Sequence, residues 1–152
     1  MLKLLLILFL LVSACVTIHG LGMIVGLRWL TRTWPRSEHT FSLPHTFWIL
    51  IRVVFGLLIL HLLQISVWAA FYDLSGCFQD FNTSFYFSAT SYSTVGYGDV
   101  TLPSNWRVLG AIEAVTGVLM FGWSTGVLLT VVNHLQSHFF KSAAHSTTGP
   151  ES

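Results

Sequence analysis

Apolar residues run through this chain in three long blocks rather than at helical or strand spacing. Residues 4–27, 53–72 and 114–140 contain no Asp, Glu, Lys or Arg. At 1.5 Å per residue each block makes a helix of about 30 Å or more, the thickness of a bilayer's hydrocarbon core. The pattern predicts membrane-spanning helices at 4–27, 50–71 and 107–132. A fourth uncharged stretch, residues 81–98, differs in kind. Ser, Thr, Asn and Gly fill it, and it is too short and too polar to span.

Composition agrees with that reading. Of 152 residues 53% are hydrophobic and only 9% charged, and mean hydropathy is +0.70. A soluble domain carries about 25% charge, so this chain cannot cover a water-facing surface. Disordered chains fail the comparison from the other side, because they lack apolar residues. A net charge of +1 leaves no basic patch for nucleic acid. The lipid bilayer is the predicted solvent and partner.

The few charges set an orientation. Arg28, Arg32, Arg36 and Arg52 lie in or beside the loop between the first and second spans, while Asp73, Asp80 and Asp99 lie between the second and third. By the positive-inside rule the first loop is cytoplasmic, the acidic loop external, the N-terminus outside and the C-terminus inside. The expected location is a plasma or inner membrane, crossed several times. Lys3 with the free amine argues weakly the other way. Residues 3–15 also look like a secretory signal, but apolar character continues to Leu27 and an uncleaved span is expected. The organisation expected is an N-terminal helix at 1–27, an Arg-rich loop at 28–49, a third unit at 50–132 and a tail at 133–152.

Residues 80–107 carry the chemistry. Asp80, Asn82 or Thr83 can cap a helix there, and residues 85–92 give it two or three turns. Thr94-Val95-Gly96-Tyr97-Gly98-Asp99 follows, Pro103 breaks the chain, and Trp106 with Arg107 opens the third span at an interface. This hexapeptide, with a short helix before it and an apolar helix on either side, resembles the pore domain of the potassium channel family. The resemblance covers about residues 50–132.

It implies an all-α membrane fold with a re-entrant pore helix and a selectivity filter between the second and third spans, the first span being extra. Backbone carbonyls of Thr94, Val95, Gly96 and Tyr97 would replace the water shed by K+, with the Thr94 hydroxyl at the inner end. Gly96 and Gly98 take the left-handed dihedrals this needs at little cost. Tyr97 would point outward into aromatics such as Tyr86, Phe87 and Tyr92. One chain supplies a quarter of the ring, so a homotetramer is implied. K+ is then the permeant ion, and no cofactor is expected. Asp99 at the outer mouth either concentrates cations or clamps the loop by a hydrogen bond. Thr90 stands where relatives often place a carboxylate to pair with that Asp, and Ser93 where they often have a second Thr. By the same alignment Gly117 is a gating hinge, Val118, Phe121 and Thr125 line the cavity below the filter, and Asn133 lies near the inner gate.

Other candidates follow from position. Glu113 is the one acidic residue within a predicted span, and a buried ionisable group needs a named partner. Gln64 and His61 lie at similar depth, so a pair with either is expected, whether it senses pH or is only structural. Gly122 with Gly126, and Gly22 with Gly26, are small residues four apart, read as close helix packing. His134 and His138 are read as interfacial polar residues ahead of a metal or proton site. Nothing in the first span resembles a voltage sensor, and it is read as peripheral support. Cys15 and Cys77 fall at different depths and cannot pair with each other. Asn82-Thr83-Ser84 is read as a helix start ahead of a glycosylation sequon, and residues 142–152 as a disordered tail.

The function expected is passive, potassium-selective conduction without covalent chemistry. The alternative is a non-conducting or weakly selective pore fold that serves as a membrane sensor or interaction protein. No soluble partner is legible.

Overall fold

The computed structural model describes residues 2–33 and 43–147, with side chains at 2–32 and 47–137. Its four helices are α1 (Leu2–Thr33), α2 (Leu43–Leu74), α3 (Phe81–Tyr92) and α4 (Arg107–Thr147), and the described residues contain no strand. Three of them carry segments long and apolar enough to cross a membrane: Leu2–Arg32, Phe47–Leu74 and Arg107–Ser137. The protein is an all-α membrane protein. All three helices overrun their predicted spans, because hydropathy marks where hydrocarbon ends, whereas a helix continues while its residues tolerate it. Arg28, Arg32 and Thr31 do so. Arg36, the His138 side chain and residues 148–152 lie outside the described residues, whereas 142–147, expected as part of a disordered tail, continue α4 as helix.

The helices share one frame. α2 packs on α1, α3 and α4, and α4 also packs on α1 and α3. A core of Leu11 and Cys15 from α1, Ile65, Trp68 and Tyr72 from α2, Phe87 and Tyr92 from α3, and Leu109 and Met120 from α4 lies at the end that carries α3. Elsewhere large apolar side chains face outward, including Phe9, Val25, Phe55, Ile59 and Leu119. In water that surface would be untenable; against lipid tails it costs nothing.

Gly22 lets α1 and α2 meet, since a Cβ there would run into the Leu60 side chain, whereas Gly26 faces open space. At the opposite end from α3, the Arg52 guanidinium lies 5.8 Å from the Trp29 ring and 5.5 Å from the Trp48 ring. That cation–π pair places two aromatics and an arginine at one depth, as at a membrane interface.

Candidate ion pathway

The short helix α3 begins where the sequence offers a cap. Of the three candidates, Asp80 takes the role: its carboxylate accepts from the Thr83 backbone N–H at 2.8 Å and from the Thr83 hydroxyl at 3.0 Å. These bonds hold its pKa below the usual aspartate value. The Asn82-Thr83-Ser84 segment is thus a helix start.

At the other end α3 stops at Tyr92 and the chain turns. The Ser93 N–H donates to the Ala89 carbonyl, the Thr94 N–H to the Ser91 carbonyl, and the Gly96 N–H to the Thr90 carbonyl. Thr94, Gly96 and Gly98 have φ of 61°, 54° and 75°, while Val95 and Tyr97 keep negative φ. Alternating handedness is the feature that turns successive carbonyls toward one side. The glycines adopt it freely, but Thr94 is β-branched and rarely found there. Strain of this kind persists only where the surroundings enforce it, which marks functional segments.

Residues 94–99 are all exposed on the single chain, with Val95 at 53% and Tyr97 at 72%. Tyr97 is therefore left largely uncovered by its own chain. Tyr86 instead donates its hydroxyl to Asp99 at 2.8 Å, a bond that ties α3 to the loop and raises the Tyr86 pKa. Of the two readings of Asp99, the clamp has a partner.

Two buried polar clusters brace this loop. In the first, fully buried Glu113 of α4 accepts from the Tyr72 hydroxyl of α2 at 2.8 Å and from the Ser88 hydroxyl of α3. Ser88 also reaches the Ile65 carbonyl at 2.9 Å. Glu113 is buried as expected, but its partners are not Gln64 or His61. Insertion of α3 between α2 and α4 brings Ser88 to the carboxylate, and α3's placement is not a matter of depth along α2.

The second cluster takes those residues. Tyr92 donates its hydroxyl to Gln64 Oε1 (2.8 Å), and Gln64 Nε2 lies 2.9 Å from His19 Nδ1. His19 Nε2 lies 3.3 Å from the Ser124 hydroxyl, which is 3.0 Å from His61 Nε2. His61 Nδ1 returns to the Tyr92 hydroxyl at 3.2 Å. Five side chains from all four helices close a ring, and all are buried. Sequence reasoning missed His19, Ser124, Tyr72 and Ser88. The rule that singled out Glu113 also applies to a histidine in mid-span, so His19 was findable; the hydroxyls were not.

The glycines of α4 differ in their surroundings. A Cβ at Gly117 would collide with the Tyr92 carbonyl, while Gly122 and Gly126 have nothing near them. Gly117, the expected hinge, is also a tight contact where α4 passes the end of α3, and the expected packing pair is open on this chain. Val118 and Thr125 are exposed, as is Phe121 at 37%, but the Phe121 ring also lies 4.5 Å from His61 and 5.6 Å from Tyr92. It wedges against the ring of five as well as facing out. Asn133 is exposed. Cys15 is buried, Cys77 half-buried, and both are free thiols. No group of three metal-ligating side chains occurs among the described residues.

Two long apolar helices thus flank a short helix and an irregular, left-handed-rich loop. Residues 46–134, more than half of the chain, match the sequence model of the ion channel family, and the chain belongs to that two-transmembrane, potassium-channel-like family. The family is one of channels, not an enzyme class. No curated protein and no solved structure matches the chain.

Proposed function

We propose that the protein is a subunit of a potassium-selective channel, in which four copies surround one axis and residues 94–98 of each supply the selectivity filter. The observation that carries this reading is the alternation of φ at Thr94, Gly96 and Gly98 with negative φ at Val95 and Tyr97. A strand so wound offers a column of carbonyl oxygens in place of a hydration shell. Irregular backbone at membrane depth survives only when it is buried in protein or lines water. On one chain these residues are exposed, so further copies are the natural cover.

The same argument extends to α4. Val118, Thr125, Gly122 and Gly126 stand open on the face below the loop, where a cavity and contacts between copies would lie. The C-terminal end of α3 points its partial negative charge toward the filter's inner mouth. The positive-inside rule puts Arg28, Arg32 and Arg52 in the cytoplasm and the α3 end outside, so K+ leaves the cell past Thr94 first and Tyr97 last.

The test is potassium flux into liposomes holding the purified full chain under a K+ gradient, with cross-linking to count subunits. Barium-sensitive K+ flux from a tetramer, with Na+ excluded and flux lost in Gly96→Ala, is the expected result. Intact tetramers without flux would leave the pore fold in a sensor or scaffold role.

A further inference from the structure

The ring of five is built so that every hydrogen is used. Tyr92 gives its proton to Gln64 Oε1, so Gln64 presents Nε2–H to His19 Nδ1. His19 then carries its proton on Nε2 and gives it to Ser124, Ser124 gives its own to His61 Nε2, and His61 donates Nδ1–H to Tyr92. Gln64's second N–H goes to the Leu60 carbonyl at 3.2 Å. Within the ring five bonds use five hydrogens, each side chain donating once and accepting once, and both imidazoles are neutral.

The ring ends where the filter begins. Tyr92 is the last residue of α3, two before Thr94, and its carbonyl is the group against which Gly117 packs. The Thr94 and Gly96 amides hang from carbonyls in the same last turn, those of Ser91 and Thr90. The orientation of the Tyr92 ring therefore sets where the irregular segment starts. Without α1, Gln64 Nε2 would lose one of its acceptors and Ser124 its only donor in the ring.

Resting on the channel reading above, we infer that His19 of α1 is a positioning residue for the filter, acting through Gln64, Ser124 and Tyr92. The N-terminal helix is then part of the conduction machinery and not only support around it. A sixth hydrogen on either imidazole finds no acceptor inside the ring, so protonation breaks it wherever it enters. The titratable groups facing the ring are few. Cys15 lies one turn before His19 on α1, and Glu113 on α4 is already held by Tyr72 and Ser88. The rings of Trp123 and Phe121 close the remaining sides, 5.1 Å from His19 and 4.5 Å from His61.

The experiment uses the full chain in liposomes or planar bilayers, recording K+/Na+ selectivity across pH 5–8 for wild type, His19→Leu, His19→Gln and Tyr92→Phe. Tyr92→Phe keeps the shape and removes one oxygen from the ring. We expect His19→Leu and Tyr92→Phe to form tetramers whose K+/Na+ ratio is lower by about tenfold, in line with one buried group left unsatisfied. Wild-type selectivity should fall toward acid pH, and Tyr92→Phe should abolish that dependence. His19→Gln, which keeps one donor and one acceptor, should recover most of the ratio. Wild-type selectivity and pH profile in both His19→Leu and Tyr92→Phe overturn the inference while leaving the channel reading intact. A wild type that passes no K+ overturns both. If His19→Leu fails to assemble, Tyr92→Phe alone decides.

Discussion

Gly117 and Glu113 are the residues whose neighbours decide most. A methyl group at Gly117 would occupy the space of the Tyr92 carbonyl, and backbone yields less readily than a side chain. Gly117→Ala should destabilise the assembled protein by about 1–3 kcal/mol, seen as a lower melting temperature, while Gly122→Ala leaves the single chain's packing unchanged. Glu113 offers a sharper contrast. In Glu113→Gln the amide oxygen can accept from Tyr72 and the amide nitrogen can donate to Ser88, whose own proton then goes to the Ile65 carbonyl. Glu113→Leu strands the Tyr72 hydroxyl and should cost about 1–3 kcal/mol; thermal melts of the two variants would separate these outcomes. An unchanged pH profile of current in Glu113→Gln would assign Glu113 a structural role alone. The sequence marked Glu113 because a carboxylate among apolar residues is conspicuous. It could not name Tyr72 and Ser88, because ordinary residues become partners only through packing.

At the scale of elements, α3 hangs between a cap and a clamp. Asp80→Asn keeps a side-chain acceptor and should leave the first turn protected, whereas Asp80→Ala should speed hydrogen exchange at the Thr83 and Ser84 amides. The signs of the two pH effects are opposite. Because the Asp80 pKa is lowered in the fold, its cap is complete above the free aspartate value of about 3.9 and is lost as pH falls through the lower folded value. Because the Tyr86 pKa is raised, its bond to Asp99 is complete below about 10 and is lost as pH rises through the higher folded value. Neither group titrates between pH 5 and 8. Tyr86→Phe should therefore loosen the loop, by hydrogen exchange, without altering any pH response in that range; a change there would refute the assignment. The element boundaries were legible where chemistry is local: Asp80 as a cap ahead of a segment long enough for two or three turns, and Gly96 and Gly98 where φ must be positive. Thr94 was not, since nothing in a threonine announces a left-handed conformation.

Across the whole molecule, the ring of five fastens α1 to the helices that carry the family resemblance. A chain lacking residues 1–33 should still insert, since α2 and α4 span on their own, but it should assemble less stably and select less well. Subunit cross-linking and K+/Na+ flux of that truncation would check both. What the sequence determined by itself was the solvent, the number of spans and the segment that must be irregular, because those follow from where charge is absent and from residue types acting within a few positions. Only the tertiary structure decided that Gly117 is a contact, that Glu113 answers to Tyr72 and Ser88, and that His19, Gln64, Tyr92, His61 and Ser124 meet. Those facts depend on which faces of four helices turn inward together, and a buried polar group takes whichever partner that packing brings within reach of a hydrogen bond.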